Sequence, residues 1–140
     1  MSQEFLQAQK ALTGDFEGLK LKPYLCTGNK LTIGFGRNLS DKGLTAEEAE
    51  YLFANDLQES LAFAETITCF KHLNDARKHV IVDMIYNLGS TRFQRFKNFL
   101  AALNAQNYTL AADEMRKSLW YTQVKNRARR LEHMMRKGQL

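Results

Sequence analysis

Covalent and conformational reinforcement is scarce in this chain, which has two cysteines, Cys26 and Cys69, and one proline, Pro23, in 140 residues. Two thiols so far apart in sequence are too few for a disulfide framework. This excludes the small cross-linked scaffolds and implies free thiols in a reducing compartment. No stretch approaches the roughly 18 consecutive apolar residues of a membrane span, so no stable membrane insertion is expected. There is no Pro- or Ser-rich linker, internal repeat or low-complexity tract, and residues 1–140 read as one domain. His72, His79 and His133 show no metal-ligand spacing with the cysteines, so neither a metal nor another cofactor is expected. The N-terminal segment lacks a basic region followed by an apolar run, and the expectation is synthesis in a bacterial cytoplasm without a signal peptide.

What is present is charge, unevenly placed. Residues 116–140 hold eight Lys/Arg against one acid, Glu132, leaving twelve basic against fourteen acidic residues before them, for a net charge of +5. A basic C-terminal segment implies an anionic partner, and charge alone does not choose between nucleic acid and a wall polymer.

Hydrophobic spacing supplies the elements. Phe5, Ala8, Leu12 and Phe16 recur at helical intervals, which predicts a helix from about Gln3 to Thr13, ending near Gly14. Leu19, Leu21, Leu31, Ile33 and Phe35 alternate around Gly28-Asn29 and predict a small antiparallel hairpin. Thr45-Ala-Glu-Glu48 is a capping-box pattern, and a long helix should run from it to about residue 65. Asn74 is a good N-cap for a helix carrying Ala76, Val80, Ile81, Met84, Ile85 and Leu88, with Gly89 as its stop. Residues 96–103, 109–119 and 126–136 read as three shorter helices with a turn around residues 121–123. The fold class is α+β and predominantly helical: a hairpin lobe over about 14–45, a connecting helix over about 45–65, and a helical lobe over about 66–140 together with the N-terminal helix.

Glu17 follows the first helix at once. A glutamate near a helix end is most simply a surface carboxylate, but the neighbouring Thr32-Ile-Gly-Phe-Gly36 changes its context. There Gly34 and Gly36 frame an aromatic at a strand edge, a pattern that lets backbone approach a ligand closely.

These residues resemble the phage-type lysozymes, the muramidase family that includes the endolysins of T-even phages. Glu17, then Cys26, then Thr32 followed by Ile-Gly-Phe-Gly has the spacing of that family's catalytic arrangement. Leu44-Thr-Ala-Glu-Glu-Ala-Glu50, Met84-Ile-Tyr-Asn-Leu-Gly89, Ser118-Leu-Trp-Tyr121 and Asn126-Arg-Ala-Arg-Arg130 match in the family's order. The likeness runs from about Phe16 to Arg136.

The resemblance implies hydrolysis of the β-1,4 bond between N-acetylmuramic acid and N-acetylglucosamine in bacterial peptidoglycan. Glu17 would be the general acid, oriented by Arg127. Cys26 stands where many members have aspartate. It would either position water with the Thr32 hydroxyl or attack the sugar as a thiolate, and the first is preferred because a thiol near ~8.5 is mostly protonated at pH 7. Arg37 and Asp56 match a cation–carboxylate pair. Tyr86 and Leu88 match positions flanking the saccharide groove, where Gly34 and Gly36 would also approach substrate. Asn38, Phe99 and Glu114 occupy sugar-contacting positions with other residue types, while Trp120 is expected to pack the helical lobe.

The implied biology is a monomeric endolysin that reaches the wall, in the periplasm, after a separate protein permeabilises the membrane. The alternatives are a peptidoglycan-binding protein of the same fold with little or no turnover, and an antibacterial effector muramidase. A nucleic-acid-binding domain, motivated by Arg127, Arg129, Arg130, Arg136 and Lys137, is the weakest reading, and no nucleic-acid partner is expected.

Overall fold

Ser2 sets where the chain first becomes helical. Its Oγ accepts the Phe5 N–H at 3.1 Å, and α1 runs over Gln3–Glu17 in this computed structural model, which describes residues 1–140. The helix continues past Gly14, where the spacing placed its end, and stops at Gly18, whose φ of +70° breaks the pattern. The ring of Phe35 lies across Gly14, within 3.7 Å of where a Cβ would stand. None of the α1 side chains is buried: Phe5, Leu12 and Phe16 of its stripe are at least half exposed.

Three antiparallel strands follow, β1 (Lys20–Leu25), β2 (Leu31–Gly34) and β3 (Arg37–Asn38), in the order β1-β2-β3. The predicted hairpin is present, with Tyr24 opposite Thr32 and Leu25 opposite Leu31. The register slips between Lys20 and Tyr24, so β1 carries extra residues against β2. Pro23 lies in that irregular stretch of an edge strand, where its missing N–H breaks no ladder bond. The third strand was not predicted: two residues are too few for an alternating pattern. It pairs Ile33 with Arg37 and Thr32 with Asn38, which makes β2 the central strand.

The capping box forms as the pattern requires. The Thr45 Oγ1 accepts the Glu48 N–H at 3.1 Å, and Glu48 Oε1 accepts the Thr45 N–H at 2.8 Å. α2 then runs over Ala46–Glu65.

Contacts divide the chain into two compact units, Met1–Glu50 and Tyr51–Leu140. α1, expected with the C-terminal helices, belongs to the first together with the sheet. The second holds the rest of α2, a 3-10 turn at Phe70–His72, and α3 (Asp75–Leu88), α4 (Ser90–Phe93), α5 (Lys97–Asn104), α6 (Tyr108–Lys117), α7 (Leu119–Val124) and α8 (Asn126–Lys137). Asn74 caps α3 by accepting the Arg77 N–H at 2.9 Å, and Gly89 ends it. α7 occupies the stretch read as a turn. Ser118 starts it, accepting the Tyr121 N–H at 3.1 Å while donating to the Met115 carbonyl at 2.7 Å.

The hydrophobic core lies in this second unit, around Val80, Ile81 and Met84 of α3, Phe93, Phe99, Leu103, Met115 and Met135. Trp120 is buried as expected, with its ring edge-on to Phe96 and its Nε1–H donating to Asn87 Oδ1 at 2.9 Å. The C-terminal end of α8 is held by Arg77, whose Nε donates to the Met135 carbonyl at 2.8 Å while its guanidinium lies 3.9 Å from the centre of the Tyr108 ring. This satisfies a carbonyl that the last helical turn leaves without an intrahelical partner. No helix is long and apolar enough to cross a membrane.

Candidate active site

Glu17 is the last residue of α1, and its exposed side chain reaches the turn that follows β2. A Cβ built at Gly36 would stand 2.8 Å from Glu17 Cδ, so the carboxylate occupies the space a side chain there would need. Gly36 also has φ +74°, which L side chains rarely adopt. Both demands explain glycine at this position. Gly34 has φ +72° but open space around it, so its requirement is conformational alone. The carboxylate of Glu17 enters none of the protein's ion pairs.

Cys26 and Thr32 meet beside the hairpin turn. The carbonyl of Lys30 accepts the Cys26 N–H at 3.0 Å and the Thr32 hydroxyl at 2.9 Å, and Asn29 N–H returns to the Cys26 carbonyl at 2.8 Å. Asn29 makes this tight return with φ +60°. Thr32, on the central strand, is buried, while Cys26 is partly exposed.

Hydrogen bonding pulls the Cys26 thiol below its ordinary range: the Lys30 backbone contributes most, then the Thr32 hydroxyl, then the Gly28 backbone. The single Thr32 proton cannot serve both acceptors. It lies on the Lys30 carbonyl here, and an ionised sulfur would be a stronger acceptor for it. This environment favours the anion more than the reference value alone does.

Arg37 has a different partner from the one expected. Its Nε donates to the Gly43 carbonyl at 3.0 Å, and its two terminal nitrogens clamp the Glu48 carboxylate, one of them at 2.6 Å from Oε1. Glu48 therefore caps α2 and anchors the residue after Gly36 at once. Its carboxyl is held below the ordinary value of 4.5, first by the Thr45 backbone and then by the Thr45 hydroxyl, with Arg37 contributing.

The remaining expected residues lie in the second unit. Tyr86 is exposed and edge-on to Phe53, and together with Asp56, Glu59, Ser60, Phe63 and Ser90 it lines a depression of about 530 Å³. Leu88 packs against the hydrophobic core. Arg127, expected to orient Glu17, is engaged within its own unit, its Nε donating to Asp83 Oδ2 at 2.8 Å. Phe99 is 1% exposed in the core, which removes it from the sugar-contacting positions. Glu114 pairs with Lys117, and Asn38 closes a turn by accepting the Asp41 N–H at 3.0 Å.

Lys30, Gly28 and Glu48 are the contributors sequence reasoning missed. The first two act through backbone N–H groups, which carry no residue signature. Glu48 was recognised as a cap, and nothing in its spacing disclosed that both of its oxygens meet Arg37.

Residues 14–137 match a family model described as phage lysozyme. Probable T4-type lysozyme 1 of Dictyostelium discoideum is 31% identical, and probable T4-type lysozyme 2 is 25% identical. Each match covers 89% of this chain and 91% of the relative. An endolysin of Acyrthosiphon pisum secondary endosymbiont phage 1 is 30% identical over 73% of this chain and 70% of its own length.

Proposed function

This chain belongs to the phage lysozyme family, and on that premise we propose that it hydrolyses peptidoglycan at the β-1,4 bond between N-acetylmuramic acid and N-acetylglucosamine. The observation that carries the reading is the seating of the Glu17 carboxylate against Gly36, on the turn directly continuing the strand that bears Thr32.

In this reading Glu17 enters the reaction protonated and gives its proton to the glycosidic oxygen as the bond to the sugar carbon breaks. An alkoxide is a poor leaving group, so this transfer lowers the barrier most. The Thr32 hydroxyl and the Cys26 thiolate hold a water on the opposite face of the sugar. As the water oxygen bonds to the anomeric carbon, the thiolate takes one of its protons. Glu17 ends as a carboxylate and Cys26 as a thiol, and solvent exchange restores both. The course is inverting, because attack and departure occur on opposite faces.

The depressed Cys26 thiol favours one further route, in which the sulfur itself bonds to the sugar and water later displaces it. That route retains the anomeric configuration, so NMR of the first product separates the two. We expect the inverted anomer with new reducing ends on N-acetylmuramic acid. The retained anomer would replace the water mechanism by the thioglycoside one, and no release of muramic reducing ends would refute the bond assignment.

The same reading gives the protein a role in host lysis, reaching the wall after the membrane is permeabilised, and working as a monomer. Asp56, Tyr86, Leu88, Arg37 and Arg127 are then supporting or substrate-flanking groups.

A further inference from the structure

The fold sorts the eight basic residues after position 115 into two sets. Arg116 pairs with Glu132, Lys117 with Glu114, Arg127 with Asp83, and Arg136 with both Asp113 and Glu132. Lys125, Arg129, Arg130 and Lys137 have no carboxylate partner, and all four are exposed on α8 or at its N-cap.

Their spacing makes them a row. Lys125, Arg129 and Lys137 stand on one four-residue series, His133 fills its remaining step, and Arg130 lies beside Arg129. Four residues advance an α-helix by about 6 Å and turn it by about 40° from its starting face, so the row extends about 18 Å along the solvent side. The only acid of the helix, Glu132, is buried beneath Arg116 and Arg136 and cannot neutralise it. Lys125 and Arg129, like charges four residues apart, repel, a cost that a bound anion relieves.

The structure narrows what that anion can be. A helix that lies in a lipid surface needs an apolar face to bury, whereas Ala128, Leu131, Met134 and Met135 of α8 are already committed to the protein core. The inner side of α8 packs on α3, α6 and α7 and is not available to a ligand. Nor does it carry a Phe, Tyr or Trp on which single-stranded bases could stack. A ribbon of cations that winds part-way round the helix matches a flexible single chain of repeated anions, which can follow it, better than a rigid duplex.

We propose that the α8 row binds a linear polyol-phosphate chain attached to the cell wall, with successive phosphates paired to Lys125, Arg129, Arg130 and Lys137. This deepens the wall-directed reading above by naming a second wall component that holds the enzyme near its substrate.

The test titrates the full chain with poly(glycerol phosphate) at several salt concentrations, beside a variant carrying Lys125→Gln, Arg129→Gln, Arg130→Gln and Lys137→Gln. Four phosphate contacts predict that wild-type affinity falls on the order of 50-fold between 50 and 200 mM salt. The variant should bind at least about tenfold more weakly at 50 mM with a flattened salt dependence, since each lost contact removes about one unit of slope. Its circular dichroism and its hydrolysis of short soluble glycans should match the parent. Unchanged affinity in the variant would overturn the proposal, as would tighter wild-type binding to duplex DNA or anionic vesicles than to the polymer. Binding is read without turnover, so failure of the hydrolase reading leaves this result interpretable, and failure here leaves hydrolysis standing.

Discussion

The carboxylate of Glu17 fills the space a side chain at position 36 would need, with its Cδ 2.8 Å from where a Gly36 Cβ would stand. Gly34, two residues earlier, has nearly the same φ and nothing within 4 Å of where its Cβ would stand. The pair forms an internal control. Gly34→Ala and Gly36→Ala should each lose about 1–2 kcal/mol of stability through strained φ. Only Gly36→Ala also displaces Glu17, and its kcat should fall by about 100-fold with little change in KM. Steady-state kinetics on a soluble glycan, with urea unfolding of both variants, makes the comparison. Equal kcat in the two would show that the seat of Glu17 is unimportant.

Cys26 should be unusually reactive for a partly exposed thiol. Its rate of alkylation by iodoacetamide, followed against pH, should reach half its maximum at lower pH than that of a simple cysteine peptide measured alongside. Thr32→Val removes the second-ranked cause of the shift and should move that midpoint upward. Cys69, whose thiol is pushed up by burial, should label only on unfolding. A wild-type midpoint at or above that of the peptide would refute the thiolate assignment.

Glu48 ties the α2 cap to Arg37, and its effect on stability has a defined sign. Its carboxyl titrates lower in the folded protein than in the unfolded chain, so its contribution is complete above about 4.5 and is lost as pH falls through the lower folded-state value. Urea unfolding midpoints across that acid range should fall less steeply for Glu48→Gln than for the parent. Parallel profiles would contradict the network.

How much of this could be read beforehand depended on how local each cause was. The Thr45–Glu48 box and the Asn74 cap involve groups three residues apart, and both form as read. β3 exists only because β2 lies beside it, and α7 because Ser118 turns the chain between Met115 and Tyr121. Spacing found the α1 stripe but could not say whether anything would cover Phe5, Leu12 and Phe16. At the site, Glu17, Cys26 and Thr32 were singled out by their spacing and by the family resemblance. The donors around the sulfur and the partners of Arg37 and Arg127 were not, since each depends on residues brought together by folding.

Phe99 shows the same limit. Its alignment suggested sugar contact, and the structure buries it against Phe93 and Phe96. Phe99→Ala should cost about 3–5 kcal/mol in urea unfolding, with the KM of the remaining folded enzyme unchanged. A raised KM without loss of stability would return Phe99 to the substrate site.

The central claim is that Glu17 supplies the proton to the departing sugar, and it is tested most directly by turnover of purified peptidoglycan by Glu17→Gln. Glutamine has the same shape and no acidic proton, so the variant should stay folded and retain binding while kcat falls by about 100- to 10,000-fold. Digestion at the parental rate would contradict the account.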